Sequence, residues 1–227
     1  MRVTLPSMRI WGIGHNVTMP SRLIPLFPLQ VVVFPRTNLP LHIFEERYKE
    51  MVGDAIRDKS EFGVVQAKES GIVNVGCAVT VVEVVNSYAD GRLDIVTRGA
   101  RRFEIVSLNE EKSYLQGEVN FFDDSEFDPV PAELRDATLA NFRELRGVIS
   151  LRGRSEPDLA DSQLSFQVAQ CLPDLDLLNA LLGLRSEISR LKRLNQYLSQ
   201  YIPRQRAIAH AREIAPTNGR GGHPAGL

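Results

Sequence analysis

The sequence contains few cysteines and histidines, which limits the chemistry that it can carry. Only two cysteines occur among the 227 residues, Cys77 and Cys171, and they form no CxxC pair. The four histidines are scattered along the chain, at His15, His42, His210 and His223. Because a protein metal site needs several such ligands close together, we expect no metal, no cofactor and two reduced, buried cysteines.

Several motifs of enzymes are also absent. The chain contains no GxxxxGK[ST] phosphate-binding loop, no GxSxG nucleophile motif and no HExxH zinc motif. The sequence therefore gives no indication of an ATP-driven motor, an α/β-hydrolase or a zinc peptidase. We expect a protein without catalytic residues.

Long apolar runs and an excess of one charge are missing as well. No run approaches the roughly 20 apolar residues that span a bilayer, and the first residues lack the apolar core of a signal peptide. Lysine and arginine total 27 against 28 aspartate and glutamate residues, a formal net charge of −1. Since nonspecific nucleic-acid binding requires the neutralisation of several phosphates, broad coating of RNA or DNA is not expected. These features predict a cytoplasmic protein that does not bind membranes.

The middle of the chain is rich in short β-branched and aromatic runs. Five such runs are separated by turn residues, at positions 62–67, 77–85, 92–97, 103–106 and 115–122. The Asp90-Gly91 pair predicts a hairpin turn. Alternation of apolar and polar residues in the last run predicts a strand with one buried and one solvated face. The pattern is typical of a small β barrel or sandwich with arginine and glutamate outside.

Closely spaced prolines mark the segment that precedes these runs, at Pro25, Pro28, Pro35 and Pro40. They surround the VVVF run at residues 31–34, which we interpret as a short strand at an edge or a barrel corner. After Pro40 the period changes, and apolar residues recur every three or four positions at Tyr48, Met51, Ala55 and Ile56. This spacing predicts an amphipathic helix.

The second half of the chain has helical periodicity. Pro129 and Pro131 follow an acidic stretch and mark a boundary. Four helices are predicted after it, from Pro131 to Ile149, from about Ser162 to Leu172, at 174–182 and at 188–201, where Pro203 weakens or ends the last. We expect an α+β protein, with strands at 21–125, a helical bundle at 130–212, a flexible segment at 1–20 and a disordered tail at 213–227.

The prolines and the residues after them resemble the opening signature of the Lon protease N-terminal (substrate-binding) domain family. The family's first two runs are matched by IPLFPL at 24–29 and by Phe34-Pro35 with Leu39-Pro40-Leu41. His42-Ile43-Phe44-Glu45 followed by Arg47-Tyr48 matches the form found in bacterial proteins that carry this domain alone.

The resemblance continues beyond the opening signature. FGVV at 62–65, DGR at 90–92, Gly99 with Arg102-Phe103 and the Leu181-Leu182 pair stand where the family has comparable elements. Leu178-Asn179 replaces the Lys-Gln pair that the family commonly carries before its double leucine, so a role of that pair is not implied here.

This resemblance implies a PUA-like small β barrel followed by an α-helical bundle. It also implies recognition of polypeptides, in particular unfolded or degron-bearing segments, by an adaptor or modulator of protein turnover that acts with a separate protease. Lon proteases join this domain to an ATPase motor and a Ser-Lys peptidase, and 227 residues leave no room for either. We therefore expect a non-catalytic protein that carries this domain alone.

The candidate peptide-binding residues lie at the predicted junction of barrel and helix. Leu39, Leu41, His42 and Phe44 would contact the peptide, with Arg47 and Tyr48 as polar handles. Core packing or helix capping is an alternative role for each of them. His42 and Glu45 complete neither a metal site nor an acid/base site, so we expect His42 to bond to the backbone near the helix start.

RNA binding is an alternative function, because relatives of the PUA-like barrel bind RNA. Its candidate residues are Arg101, Arg102, Arg190, Lys192 and Arg193. We favour a plainer interpretation, in which these cations form a solvated strand edge and the polar face of a helix. Steep salt dependence of binding would distinguish RNA binding from peptide capture.

Overall fold

All described strands and the first helix lie in the first part of the chain, here called the strand half, and the other described helices follow in the second part, the helical half. The computed structural model describes residues 21–126, 128–149 and 156–214, and the predictions for residues 1–20 and 215–227 fall outside these ranges. The described elements are β1 (Arg22–Leu29), β2 (Asn38–Ile43), α1 (Glu46–Asp58), β3 (Phe62–Lys68), β4 (Gly71–Ser87), β5 (Leu93–Asn109), β6 (Gln116–Phe122), α2 (Ala132–Val148), α3 (Leu164–Ala169), α4 (Leu175–Gly183) and α5 (Glu187–Ile214). The predicted α+β class is confirmed.

The strands form one mixed sheet that closes on itself. Their order is β2-β5-β4-β3-β1-β6, and an additional β5–β6 pairing joins β1, β3, β4, β5 and β6 into a ring. Only the β1–β3 pair is parallel among these strands. The interior of the ring contains buried apolar side chains from its strands, including Leu26, Val65, Phe103 and Val119.

Strands β4 and β5 are longer than the ring requires. Each has 17 residues, and the predicted runs at 92–97 and 103–106 form the single strand β5. Gly99 does not break this strand, because it keeps its place in the ladder opposite Val79. The hairpin turn predicted at Asp90-Gly91 is present, with Gly91 at a φ of 81°.

The prediction of a strand at residues 31–34 is wrong, and the proline-containing segment before it forms strand β1 instead. The strand accommodates Pro25 and Pro28 because neither proline has ladder partners on both sides. Residues 22–25 pair with β6 and residues 26–29 pair with β3. A proline without an N–H group is tolerated where one edge of the strand has no partner.

Residues 31–34 form an extended connector between two hydrophobic cores. Val31 and Val33 pack into the core beneath α1, whereas Val32 and Phe34 pack into the core of the helical half. The connector is therefore apolar on both sides without being a strand. After it, Arg36 N–H donates to the Gly99 carbonyl at 2.7 Å, which holds the chain against β5.

Most of the predicted helices are present, with three differences. Ile56 of α1 is 37% exposed, so the buried stripe of this helix is completed by Val52. Helix α3 is shorter than predicted and ends at Ala169. Helix α5 continues through Pro203 to Ile214. Pro203 has no N–H group to donate to the carbonyl of Ser199, but both residues are exposed, so water can bond to this carbonyl instead.

A matched pair of glycine substitutions tests the contact between the connector and β5. A Cβ atom at Gly99 would overlap the carbonyl oxygen of Phe34, so Gly99→Ala is expected to lower the free energy of unfolding by about 1–3 kcal/mol. A Cβ atom at Gly53 in α1 meets no atom within 4 Å, so Gly53→Ala is expected to raise it by about 0.5–1 kcal/mol. Urea unfolding measures both values, and equal effects of the two substitutions would contradict this assignment.

Candidate functional site

Beyond the ring, parts of three strands form a projecting sheet, here called the arm. It consists of β2, residues 93–98 of β5 and residues 80–87 of β4. Leu39, Leu41 and Ile95 lie on the inner face of the arm, which packs against the core beneath α1. The outer face carries polar residues such as His42 and Asp94 and is open to water.

The edge of β4 in the arm has no strand beside it. The pairing of β3 with β4 ends at Val79, so residues 80–87 pair only with β5 within the described part of the chain. The register with β5 shifts twice here, between Val81 and Glu83 and between Val84 and Asn86. Such an edge presents backbone N–H and C=O groups that can bond to another extended chain.

A groove of about 400 Å³ lies between this edge and α1. The residues that line it are Ala55, Ile56, Lys59, Ser60, Thr80, Val81, Val82, Glu83 and Val84. Helix α1 ends beside the groove, because Lys59 adopts a left-handed conformation and Ser60 N–H donates to the Ala55 carbonyl. The side chains of Ile56, Val82 and Val84 remain exposed. The groove therefore combines apolar side chains with unpaired strand backbone.

His42 belongs to a hydrogen-bonded cluster on the outer face of the arm. Its Nδ1 lies 2.6 Å from Oδ1 of Asp94, while Tyr88 Oη and Asn86 Nδ2 donate to Oδ2 of the same carboxylate. These three hydrogen bonds lower the pKa of Asp94 to about 2. The expected bond from His42 to the backbone near a helix start is wrong, since His42 lies within β2 and its partner lies 52 positions along the chain.

Phe44 extends the same face. Its side chain is 57% exposed, and its ring stacks beside His42 with 5.9 Å between the ring centroids. Arg92 lies over the ring of Tyr88 at 4.9 Å. The outer face of the arm thus presents an aromatic surface around a carboxylate that is already fully engaged.

The six candidate peptide-binding residues do not converge on one surface. His42 and Phe44 are exposed on the outer face, while Leu39 and Leu41 are partly buried beneath the inner face. Tyr48 is buried against Phe27 with 4.1 Å between ring centroids, which fits the alternative role of core packing better than that of a polar handle. Arg47 covers the Tyr48 ring and bonds to Glu45.

Sequence reasoning missed the groove beside β4. The run TVVEVV at residues 80–85 resembles a buried strand, but the strand outruns its neighbour β3 and its valines are left exposed. The one available signal was the loss of alternation after Val79, where apolar residues occupy both faces. Ile56 gave no separate signal, because its spacing fits the buried stripe of α1.

The candidate nucleic-acid residues Arg102 and Arg190 are not surface residues. Arg102 is 2% exposed and Arg190 is 0% exposed, and both bind the carboxylate of Asp124 with N–O distances of 2.6 Å. Arg190 also binds Glu187, which accepts hydrogen bonds from the N–H and the hydroxyl of Ser165. The interpretation of both arginines as solvated cations is therefore wrong, because burial of a guanidinium requires such a set of acceptors.

The other candidate cations do not form a common basic surface with them. Arg101 pairs with Glu61 at 2.5 Å and lies over the ring of Phe121. Lys192 and Arg193 are exposed on α5. Of the five candidate cations for RNA binding, Arg102 and Arg190 are therefore buried in the protein, and Lys192 and Arg193 remain exposed.

The described ranges 21–126, 128–149 and 156–214 contain neither a cluster of metal ligands nor a helix that could span a membrane. No group of three or more His, Cys, Asp and Glu side chains in them is arranged to hold a metal ion. In the same ranges, no helix has the length and apolar character needed to cross a membrane.

Comparison with known proteins gives consistent matches. Residues 23–208 match the family model of the ATP-dependent protease La (LON) substrate-binding domain. The Lon protease of Parabacteroides distasonis is 29% identical over 131 residues, which cover 54% of this chain and 16% of that protein. The Lon protease of Anaeromyxobacter dehalogenans is 30% identical over 138 residues, which cover 56% of this chain and 16% of that protein. The chain thus spans about a sixth of the length of these curated relatives.

Solved structures with the same fold are also found. The Lon N-terminal domain protein from Xanthomonas campestris has a TM-score of 0.63 at 26% identity, and the match covers 76% of this chain and 96% of that one. The N-terminal domain of the Mycobacterium avium complex Lon protease has a TM-score of 0.58 at 16% identity, and the match covers 79% of this chain and 99% of that one. The second match demonstrates similarity of fold alone.

Removal of the Asp124 carboxylate tests the buried arginine cluster. Asp124→Asn leaves two buried guanidinium groups without their shared anion, so it is expected to lower the free energy of unfolding by about 3 kcal/mol or more. Asp123→Asn is the matched control, because Asp123 is an exposed neighbour, and its effect is expected to stay within about 0.5 kcal/mol. Urea unfolding at pH 7 compares the two variants, and similar stabilities would refute the role of Asp124.

The ion pairs of Asp124 also predict how the stability of the protein depends on pH. Burial opposes ionisation of Asp124, but its bonds to Arg190 and Arg102 hold its pKa below the usual range. Its contribution to stability is therefore present above the unfolded-state pKa of about 4 and is lost as the pH falls through the lower folded-state value. Between pH 5 and the lowest pH at which the protein folds, the free energy of unfolding of Asp124→Asn is therefore expected to change less than that of the wild type. Urea unfolding at each pH measures both values.

Proposed function

Because the chain belongs to the LON substrate-binding domain family, we propose that it binds unfolded or degron-bearing polypeptides in the groove between α1 and the unpaired edge of β4. The family resemblance seen in the opening motifs is confirmed by the match to residues 23–208. A role in substrate recognition follows from this membership. The location of the binding site and the nature of the bound segment are our inference.

The observation that carries the proposal is the coincidence of an open strand edge with an apolar groove. An extended peptide that pairs with residues 80–87 would gain backbone hydrogen bonds that do not depend on its sequence. Every second side chain of such a peptide points to the same side. Those side chains would enter the groove and cover Ile56, Val82 and Val84, which are otherwise exposed.

The lining residues indicate the kind of segment that fits best. The floor is apolar, while Lys59 and Glu83 bring opposite charges to the lining. The groove therefore favours neither acidic nor basic peptides and favours uncharged, β-branched or aliphatic side chains. Such segments are buried in folded proteins and accessible in unfolded ones.

The candidate residues of the opening signature have a secondary role in this proposal. Leu39 and Leu41 support the inner face of the arm and hold β4 in position through β5. Phe44 and His42 provide an exposed surface on the opposite face, where a long client or a separate protease would make contact.

We infer that the chain acts by recognition and not by catalysis, as an adaptor or modulator of protein turnover in the cytoplasm. The match of residues 23–208 to the model of a substrate-binding domain supports this inference. The whole enzymes' proteolytic activity is not transferred to this chain.

A pair of isoleucine substitutions tests the groove. Ile56→Glu places a carboxylate in the apolar floor, so binding of an unfolded protein is expected to weaken at least tenfold. Ile208→Glu is the matched control, because Ile208 is also a helical isoleucine and is 36% exposed against 37% for Ile56. Fluorescence anisotropy with labelled, reduced and carboxymethylated lactalbumin measures both, after unfolding curves have verified that both variants fold. Equal affinities of the two variants would refute the groove as the site.

Backbone methylation of the peptide tests strand addition. N-methyl groups on alternate residues block the backbone donors on one edge of an extended peptide and leave the other edge intact. Of two peptides methylated in opposite registers, one is expected to bind as the parent peptide does and the other at least tenfold more weakly. The parent is a ten-residue segment mapped from the lactalbumin probe, and anisotropy gives the affinities. If both methylated peptides bind like the parent, strand addition is wrong and only side-chain capture remains.

A further inference from the structure

A second pocket lies where the connector meets the helical half of the chain. The chain turns at residues 34–37, and Arg36 occupies the left-handed region of backbone conformation with a φ of 64°. A residue with a Cβ atom adopts this conformation at a cost of about 1 kcal/mol. Two backbone hydrogen bonds hold the turn, from Arg36 N–H to the Gly99 carbonyl and from Gly99 N–H to the Thr37 carbonyl. The strained residue is thus fixed by β5.

The side chain of Arg36 crosses from the turn to the helical half. Its Nη2 donates to Asp161 Oδ1 at 2.6 Å and to Gln163 Oε1 at 2.8 Å. These groups line a pocket of about 300 Å³, and Arg98 of β5 is a further lining residue. Gln167 and the buried Phe166 contribute to the wall formed by the helical half.

The charges in this pocket do not balance. Asp161 accepts hydrogen bonds from Arg36, from the N–H of Gln163 and from Gln167, so its carboxylate is committed to the wall. Its pKa is held below the usual range: burial opposes ionisation, but these hydrogen bonds outweigh it. Arg98 makes no ion pair with any described residue. One guanidinium is therefore left in excess beside the one that Asp161 neutralises.

We propose that this pocket binds a compact anionic group, a carboxylate or a phosphate, with Arg98 as its main ligand and Arg36 as a second donor. The planar fork of a guanidinium matches both anions through paired N–H···O bonds. A volume of about 300 Å³ lies at the lower end of small-molecule sites, which suits a small acid or phosphate and excludes a folded partner. This proposal is independent of peptide binding at the β4 edge.

Binding would also connect the two halves of the chain. Arg98 and Arg36 belong to the strand half, whereas Gln163 and Gln167 belong to the helical half. A ligand that binds only the folded state raises its apparent stability in proportion to the logarithm of its concentration above the dissociation constant. An anion in this pocket is therefore expected to raise the unfolding temperature.

Titrations with inorganic phosphate and with succinate, at an ionic strength kept constant with sodium chloride, test the proposal. The dissociation constant from amide NMR shifts is expected to increase at least tenfold for Arg98→Gln and to remain within twofold for Arg22→Gln. Arg22 is the matched control, because it is an exposed strand arginine outside the pocket. Arg98→Lys keeps the positive charge but removes the planar guanidinium, so its dissociation constant is expected to lie between those of Arg98→Gln and Arg22→Gln.

The two titrations also identify the source of the anion. Saturation by phosphate alone supports a phosphoryl ligand, saturation by succinate alone supports a carboxylic acid, and saturation by both supports a general anion site. The proposal is overturned if neither anion shifts the amides near Arg98 more than chloride does. It is equally overturned if Arg98→Gln, shown to be folded by its thermal transition in chloride, binds as tightly as the wild type.

Discussion

The structure depends most on the carboxylate of Asp124, which lies between two buried guanidinium groups. Arg102 belongs to β5 and Arg190 to α5, so one anion joins the strand half to the longest helix. Both arginines also donate to the carbonyl of Leu184, which follows the end of α4. Apolar side chains of similar volume would bury as much surface, but they would not require one orientation of α5 on the ring. The hydrogen bonds of this cluster therefore specify how the two halves pack.

The connector at residues 31–34 is the second tie between the halves, and it acts through packing instead of charge. Its side chains alternate between the core beneath α1 and the helical core, and Phe34 stacks on Phe166 with 4.6 Å between ring centroids. Movement of one half would expose the connector on one side and leave a cavity on the other. Because the buried arginines constrain the same movement, the described halves are expected to unfold together.

Contacts between residues that are distant in sequence separate the parts of the fold that could be predicted from those that could not. The helix α1, the Asp90-Gly91 turn and the order of strands before helices follow from local period and turn chemistry. The errors at residues 31–34, at His42 and at the buried arginines have a common cause, since each involves a partner that is distant in sequence. Residues 31–34 have the composition of a strand because two cores cover them. Arg102 resembles a surface cation in the sequence, since its partner Asp124 lies on a different segment. The groove beside β4 depends on where β3 ends its pairing, which the composition of β4 does not encode.

If β4 binds clients as we propose, its open edge has to accept them without pairing to a second copy of the chain. A flat edge would serve both purposes, whereas this edge is interrupted by register shifts before Glu83 and before Asn86. Such irregularities twist a strand, and a charged side chain within the edge disfavours contact with an identical edge. Two rigid copies would have to match both shifts at once, but a flexible unfolded segment adjusts its backbone to each of them. In this proposal, the irregular edge discriminates between partners by their flexibility, which is the property that separates an unfolded polypeptide from a folded one.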